Sequence, residues 1–286
     1  MLTRSHQGER ACFALSTTGF DEAFGLVAAS NWNKSTIAQL EIRIMVVLRV
    51  TEIFRSIQGE STHAGRPCTF VRLTGCPMRC SWCDSEYTFT GGDHFTIDSI
   101  VERVREFGCQ LVEVTGGEPL AQRQSLDLIR RLCDDNHEVL IETGGYVSTE
   151  EVDSRAKIIL DVKCPASGEA ERNHWPNLNR LRPDKDEVKF VIAGAKDWEF
   201  ATRIIEDYQL ESRTKAILIS PAWDQIDLQE LANWIVQSGL EVRMQLQLHK
   251  YIWGPMCMAC EQTKNYLATV IWDLSFSHLM VAGQDR

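Results

Sequence analysis

Residues 68–83 read CTFVRLTGCPMRCSWC, a strand-like run followed at once by three closely spaced cysteines. The run Cys68–Leu73 alternates apolar and polar positions, which is typical of a β-strand. The cysteines then follow at Cys-x3-Cys-x2-Cys spacing, and Gly75 and Pro77 allow the chain to turn between strand and cysteines. Three thiols at this spacing converge only if the chain loops around a compact centre, so the stretch predicts a strand that ends in a metal-binding loop.

Strand-like runs and helical periodicity alternate along the chain on both sides of this loop. Thr96 can cap a helix that Gly108 ends, because the apolar side chains between them recur at helical spacing. Further helices are predicted at 126–132, 200–208 and 228–236, and strands at 46–50, 68–73, 111–114, 139–141, 158–162, 188–192, 216–219 and 240–248. Strands separated by helices form parallel sheets, so the pattern predicts an α/β fold with an open, partial (β/α) barrel, whose ligands gather at the carboxyl ends of the strands.

Composition excludes several classes of protein. The chain has 286 residues, 24% of them charged, a net charge of −10 and ten cysteines. This charged fraction indicates a globular protein, and the negative charge argues against a nucleic-acid partner. No apolar run approaches the roughly 20 residues that span a bilayer, so no membrane segment is expected. The cysteines do not form the dense framework of a small secreted domain, which favours metal binding or buried thiols in a cytoplasmic protein.

The two ends of the chain lack the periodicity of the middle. Residues 1–44 show no clean pattern, whereas Met45 directly precedes the first strand-like run. We expect a natural start at Met45, a poorly ordered or non-native N-terminal extension at 1–44, a single core domain at 45–255 and a C-terminal extension at 256–286. Cys257 and Cys260 lie in the last of these and have no partner pair, so we interpret them as incidental.

The number of cysteines in the loop leaves two interpretations open. A closed structural zinc site needs four ligands, and His63 or His94 could complete one in a zinc-stabilised, non-catalytic module. An iron–sulfur cluster also normally takes four cysteines, so three would leave one iron open to an external ligand.

Two motifs together resemble the radical S-adenosylmethionine (SAM) superfamily. The first is the Cys76–Cys83 loop, and the second is Val114–Pro119, VTGGEP, at the end of the next predicted strand. Glycines at a strand end let backbone carbonyls approach the amino group of a methionine moiety. The resemblance implies a partial barrel of the radical SAM type.

Four stretches resemble one family of that superfamily, the 7-carboxy-7-deazaguanine synthases of queuosine biosynthesis. They are EIFRSIQGE at 52–60, FVRLTGC at 70–76, SWCDS at 81–85 and HKYIWGP at 249–255. The resemblance implies conversion of 6-carboxy-5,6,7,8-tetrahydropterin to 7-carboxy-7-deazaguanine with loss of ammonia. It also implies a [4Fe–4S] cluster, SAM and Mg²⁺ as cofactors, an external electron donor such as flavodoxin or ferredoxin, and a homodimer.

By this resemblance the site residues form three groups, and no side chain acts as acid or base because cluster and SAM supply the chemistry. The metal ligands are Cys76, Cys80 and Cys83 for the cluster and Ser85, where many members have threonine, for Mg²⁺. The substrate contacts are Ile57, Gln58, Gly59, Glu60, Arg72, Thr115, His249 and Pro255. The SAM contacts are Trp82, Cys83, Asp84, Gly117, Glu118, Asp161, Val162, Lys163, Lys189, Phe190, Val191 and Ile192.

Besides the zinc-stabilised module, three alternatives remain at this point. The turn Gln58–Glu60 could be a plain exposed turn, and Arg72 could pair with an acid of the core. The chain could also be a radical SAM activase of a glycyl-radical enzyme, which shares the cysteine loop and the Gly-Gly-Glu motif but lacks the pterin turn. Pro255 ends some short members of the family, whereas here the chain continues to Arg286.

Overall fold

The computed structural model describes residues 47–254, and one mixed sheet runs through this part of the chain. Its strands are β1 Val47–Ile57, β2 Pro67–Leu73, β3 Asp93–Thr96, β4 Leu111–Gly116, β5 Glu138–Thr143, β6 Lys157–Val162, β7 Glu187–Ile192, β8 Ala216–Pro221 and β9 Arg243–Met244. The α-helices are α1 Ile97–Phe107, α2 Ser125–Asp134, α3 Ala195–Asp207, α4 Leu210–Arg213, α5 Leu228–Ser238 and α6 Leu248–Trp253.

The strand order is β3-β1-β2-β4-β5-β6-β7-β8-β9. From β2 to β9 every neighbouring pair is parallel, whereas β1 pairs antiparallel with both β2 and β3. The sheet is not closed, since β3 and β9 are its two edges. The expected α/β fold, a partial (β/α) barrel, is therefore confirmed.

The two faces of the sheet bury different sets of side chains. On the outer face, Val71, Val114 and Ile141 pack with Ile100 and Leu128 of helices α1 and α2. On the inner face, a separate cluster without helical residues contains Phe54, Phe70, Leu111, Leu140, Ile159 and Leu218. Side chains alternate between faces along a strand, so the residues two places further on in β4, β5 and β6 also face inward. Those residues are Glu113, Glu142 and Asp161, which makes the upper interior of the barrel polar.

The prediction of a closing strand at 240–248 is wrong for most of its length. Only Arg243–Met244 forms β9, and helix α6 begins at Leu248. The chain leaves the sheet there because Gln245 and Gln247 turn their side chains to hydrogen-bond Glu60. Strand β1 extends well beyond the predicted 46–50, and the short edge strand β3 was not predicted.

The proposed extensions 1–44 and 256–286, and Pro255, lie outside the described residues. Within residues 47–254, no helix is both long and apolar enough to cross a bilayer.

Candidate active site

The loop after β2 holds Cys76, Cys80 and Cys83, all of them half-buried. Burial is the largest cause that raises the pKa of each thiol, and in each case one of the other two thiols raises it further. The three cysteines therefore lie in one loop at the carboxyl end of β2, near enough for their charges to interact. Thiolates in such a group need a positive centre to neutralise them, so the donor set fits an iron–sulfur cluster.

The zinc alternative lacks the fourth ligand that was suggested for it. The Nε2 atom of His63 lies 3.1 Å from an oxygen of Glu138, the first residue of β5, at the amino end of the strands. His94 lies on edge strand β3, where it pairs with Arg49. Among residues 47–254, no three His, Cys, Asp or Glu side chains are close enough together to chelate one metal ion. Cysteines of a cubane cluster bind separate irons and can stand farther apart.

The connection between β6 and β7 braces the cysteine loop from outside. Glu169 accepts a hydrogen bond from the backbone N–H of Arg79 at 2.6 Å. The N–H of Ser81 donates to the carbonyl of Ser167 at 3.1 Å. Ser167 ends the first 3₁₀ turn after β6 and Glu169 directly precedes the second, so the loop is held between the ends of two different strands.

The Gly-Gly-Glu turn packs directly against the cysteine loop. The backbone N–H groups of Gly117 and Glu118 donate to the carbonyls of Leu73 and Gly75 at 3.1 and 2.9 Å. A Cβ atom on Gly117 would lie 2.3 Å from the Gly75 oxygen and 2.8 Å from the Cβ of Cys76. The contact requires glycine, and it fixes the distance between the predicted SAM turn and the first cluster ligand.

The side chain of Glu118 has a structural task. Its carboxylate is fully buried and accepts hydrogen bonds from the N–H of Leu120 at 3.0 Å and of Gly144 at 2.9 Å. It also accepts from the hydroxyl of Thr143 at 2.8 Å. The carboxylate thereby ties the end of β4 to the end of β5, so a SAM contact at this position would come from the backbone.

A chain of charges crosses the upper interior of the barrel. The Lys189 ammonium contacts Glu142 and lies 3.0 Å from Glu60 and 3.6 Å from Asp161, and Asp161 also pairs with Lys163 at 2.9 Å. Burial alone would lower the pKa of Lys189, but these carboxylates raise it, so the lysine stays charged. The Oδ1 atom of Asp161 is buried without a hydrogen-bond partner in the described structure. An orphaned acceptor at a strand end fits a bound polar ligand such as SAM.

The turn after β1 closes the amino-terminal end of the barrel. Thr62 donates its backbone N–H at 3.1 Å to Glu187, the first residue of β7. Since the cysteine loop lies at the other end of the parallel strands, the interior has a floor made by this turn and a roof made by the cysteines.

The two predicted pterin-binding side chains of this turn point into the barrel. Gln58 is only 3% exposed and donates to Glu113, and its own oxygen accepts from the N–H of Glu60 at 3.1 Å. The oxygens of Glu60 accept from Gln247 at 2.9 Å and from Gln245 at 3.1 Å. The alternative of a plain exposed turn is therefore wrong, and Glu60 presents a carboxylate of fixed orientation.

Two carboxyl groups of the interior favour opposite charge states. Burial is the main cause that raises the pKa of Glu113 well above its ordinary value, and the charges of Glu142 and Glu60 raise it further. Burial would also raise the pKa of Glu60, but Lys189 and the hydrogen bond from Gln247 lower it. The surroundings therefore favour the neutral form of Glu113 and the ionised form of Glu60.

Arg72 lies in an ion pair within the barrel. Its Nε atom lies 2.8 Å from Glu52, which also accepts from the hydroxyl of Tyr87 at 2.9 Å. The guanidinium lies over the ring of Phe54, 5.6 Å from its centre. Arg72 pairs in register with the buried residue Thr115 of β4, so these two predicted substrate contacts are neighbours.

Asp84 and Ser85 follow the third cysteine and offer oxygen atoms to a cation. The Ser85 hydroxyl donates to Oδ1 of Asp84 at 3.0 Å. The Oδ2 atom of Asp84 accepts from Lys250 at 2.7 Å and from Gln247 at 3.1 Å. Hard oxygens of this kind suit Mg²⁺.

Three of the predicted SAM contacts have side chains that face away from the interior. Val162, Phe190 and Ile192 belong to the helix-covered outer core, so their side chains face away from the interior. Ile57 is the last residue of β1, and Val191 and Trp82 are half-buried.

The ring of His249 packs on Gly59, where a Cβ atom would lie 2.2 Å from the histidine Nδ1. Burial lowers the pKa of His249, although Glu60 and Asp84 act against it, so the ring is neutral at neutral pH.

Five residues of the site were missed by the sequence analysis: Glu113, Glu142, Gln245, Gln247 and Lys250. For two of them a signal exists. Glu113 and Glu142 interrupt otherwise apolar strands, LVEVTG and EVLIET, and a parallel strand buried on both faces is normally apolar throughout. Lys250 lies within the stretch 249–255 that carried the family resemblance, whereas the two glutamines lie just before it, where contacts depend on how the chain packs across the open side of the barrel.

Comparison with known proteins first defines the class of protein, in agreement with the open barrel and the cysteine loop. The model of the Radical SAM superfamily matches residues 70–208, so the chain is a radical SAM protein, and that class implies a [4Fe–4S] cluster and SAM. Two curated relatives then give the family. The "7-carboxy-7-deazaguanine synthase" of Koribacter versatilis is 44% identical over 222 residues, which cover 73% of this chain and 98% of the relative. That of Chlorobaculum tepidum is 44% identical over 210 residues, covering 73% and 95%. The chain belongs to the 7-carboxy-7-deazaguanine synthase family.

A solved structure agrees on the fold. The crystal structure of QueE from Escherichia coli matches with a TM-score of 0.54 at 20% identity, covering 71% of this chain and 95% of that one. Family membership decides against the glycyl-radical activase.

Proposed function

We propose that this chain converts 6-carboxy-5,6,7,8-tetrahydropterin to 7-carboxy-7-deazaguanine with release of ammonia. The named relatives support the reaction, and they match the chain over nearly their whole length. The observation that carries the proposal within the structure is the Glu60 carboxylate. It is ionised, held by Gln245, Gln247 and Lys189, and directed into a barrel whose other end carries the three cysteines.

The chain's own residues would bind and orient the substrate. A pterin has an amide and an amino group along one edge, and an ionised carboxylate accepts hydrogen bonds from both of them. Glu60 supplies that carboxylate. Arg72 pairs with Glu52 through Nε, so its two terminal nitrogens would bind the carboxyl group of the substrate. When bound, the cluster and SAM supply the radical that starts the ring contraction. The barrel floor made by the turn 58–66 excludes water from the reacting ring.

Further parts of the proposal concern cations and partners. Ser85, with Asp84 beside it, would hold Mg²⁺ through hard oxygens, together with substrate oxygens and water. A radical SAM enzyme needs a reductant, and a flavodoxin or ferredoxin would supply it. We also propose a homodimer and a cytoplasmic location.

The experiment that tests the function compares two cysteine variants after anaerobic reconstitution with iron and sulfide. Cys80→Ala removes a proposed cluster ligand, so loss of SAM cleavage and of deazaguanine product is expected with the fold retained. Cys133→Ala is the matched control, because Cys133 is a buried thiol of helix α2 in the outer core. Full activity of Cys80→Ala, or equal loss in both variants, would contradict the assignment.

A further inference from the structure

The segment Gln247–Lys250 joins two loops that are far apart in the sequence. The side-chain nitrogen of Gln247 donates to Glu60 at 2.9 Å and to Asp84 at 3.1 Å. A primary amide has two hydrogens, and here each is used on a different loop. Without this amide, two carboxylates would face each other across the gap between the loops.

Two neighbours of Gln247 strengthen the same connection. The backbone N–H of Leu248 donates to the carbonyl of Gly59 at 3.0 Å. The Lys250 ammonium lies 2.7 Å from Asp84, and Lys250 is only 7% exposed because it packs over Trp223, 5.4 Å from the ring centre. We call residues Gln247–Lys250 the clasp.

The two loops that the clasp joins serve different parts of the site. Glu60 belongs to the floor turn, and its carboxylate reaches Lys189 in the interior, where the pterin would bind. Asp84 directly follows Cys83 in the cysteine loop, where cluster and SAM would bind. Apart from the clasp, the floor turn and the cysteine loop belong to different connections of the sheet, one before β2 and one after it.

We propose that Gln247 and Lys250 are positioning residues that couple the substrate end of the barrel to the SAM end, so that SAM is cleaved efficiently only when substrate occupies the floor. The inference rests on the proposed function and adds a control step to it. If bound substrate restricts the motion of the turn at Glu60, the clasp restricts the motion of Asp84 and the cysteine loop as well. Coupling between two sites is reciprocal, so SAM must also tighten substrate binding.

Gln247→Leu keeps the size of the side chain and removes both donors. Gln245→Leu is the matched control, because Gln245 donates to the other oxygen of Glu60 and to Ser220. The measured quantity is 5′-deoxyadenosine formed per molecule of product, together with the KM for substrate. We expect both variants to raise KM, and Gln247→Leu alone to raise the ratio, by roughly fivefold or more. An unchanged ratio in Gln247→Leu, or the same rise in both variants, would overturn the proposal.

A second pair of variants tests the other half of the clasp. Lys250→Met keeps the apolar stem over Trp223 but leaves Asp84 without its cation, so it should raise the ratio as Gln247→Leu does. Lys250→Arg retains a cation and should restore the wild-type ratio. A normal ratio in Lys250→Met, or failure of Lys250→Arg to restore it, would show that Lys250 takes no part in the coupling.

Hydrogen exchange of the cluster-free chain tests the connection without cofactors or turnover. In Gln247→Leu, amides of both the 58–66 turn and the 84–88 segment should exchange about tenfold faster than in the wild type. In Gln245→Leu only the 58–66 turn should respond. Faster exchange confined to 58–66 in Gln247→Leu would contradict the coupling. If the wild type makes no deazaguanine at all, the proposed function fails, whereas this exchange pattern still decides whether the clasp exists.

Discussion

Glu118 illustrates how a motif residue can serve the fold. Its carboxylate accepts hydrogen bonds from Leu120, Thr143 and Gly144. These groups at the ends of β4 and β5 occupy its acceptor sites. The Gly-Gly-Glu motif therefore has two parts. The glycines allow close packing against the cysteine loop, and the glutamate holds the neighbouring strand ends together.

Glu118→Gln should destabilise the fold. The amide NH₂ would face a backbone N–H, leaving a buried donor unsatisfied, which costs about 1–3 kcal/mol. Urea unfolding measures the change. The control is Glu151→Gln, an exposed partner of Arg123 at 3.0 Å, and its removal should cost less than about 1 kcal/mol. Equal losses in the two variants would contradict this account of Glu118.

Glu113 should make stability fall as pH rises. Its pKa is raised well above the ordinary 4.5, so the native chain keeps a proton that the unfolded chain releases. The unfolded state then binds fewer protons, and the free energy of unfolding decreases with pH over that interval. Glu113→Gln mimics the neutral acid, so its stability relative to the wild type should increase as pH rises above 4.5, the ordinary pKa of a glutamate, measured by urea unfolding.

The matched control for this pH series is Asp153→Asn. Hydrogen bonds from Arg155 lower the pKa of Asp153 to about 2, so its contribution is lost only as pH falls towards that value. The difference between Asp153→Asn and the wild type should stay constant as pH rises above 4.5. A constant difference for Glu113→Gln as well would show that Glu113 is ionised in the native state.

At the scale of elements, the strands and helices with local patterns were predicted, whereas those that depend on distant partners were not. The helix Ile97–Phe107 was expected because Thr96 caps it, accepting from the N–H of Ser99 at 3.1 Å, and Gly108 ends it with a positive φ of 66°. Strand β3 pairs only with distant β1 and has four residues, three of them polar. The end of the predicted strand 240–248 is held by contacts with Glu60, which no local pattern reveals.

The same distinction holds for the site. The cysteine loop, the Gly-Gly-Glu turn and the Gln58–Glu60 turn are short continuous motifs, so sequence resemblance identified them. The interior partners of these motifs are single polar residues on other elements. Contacts between these residues depend on strand register and on how the sheet curves into a partial barrel. Lys189 and Glu60, for example, lie 129 positions apart in the chain.

Gly117→Ala should disturb the cysteine loop while leaving the sheet folded. The added Cβ would lie 2.3 Å from the Gly75 oxygen and 2.8 Å from the Cβ of Cys76, so the loop must move away from β4. We expect less iron and sulfide per chain after anaerobic reconstitution. Gly194→Ala is the control, because a Cβ there meets nothing within 4 Å. Normal cluster content in Gly117→Ala would contradict the close-packing account.

At the scale of the whole molecule, the net charge of −10 acquires a specific meaning. Acidic residues line the upper interior of the barrel, where Glu60, Glu142 and Asp161 surround the ammonium of Lys189. This interior lies between the floor turn and the cysteine loop, so it is suited to a small polar substrate with hydrogen-bond donors. Some of the acidic residues that give the chain its negative charge thus lie where a pterin would bind.

The most direct test of the central claim is product analysis with the anaerobically reconstituted chain. The protein is incubated with reductant, Mg²⁺, excess 6-carboxy-5,6,7,8-tetrahydropterin and limiting SAM, and the products are measured by mass spectrometry. Substrate and product differ only by ammonia, so the reaction needs no net oxidation and SAM should be regenerated. We therefore predict 7-carboxy-7-deazaguanine and ammonia in equal amounts, each exceeding the SAM supplied. A protein that carries its cluster and cleaves SAM but forms no 7-carboxy-7-deazaguanine would contradict the account.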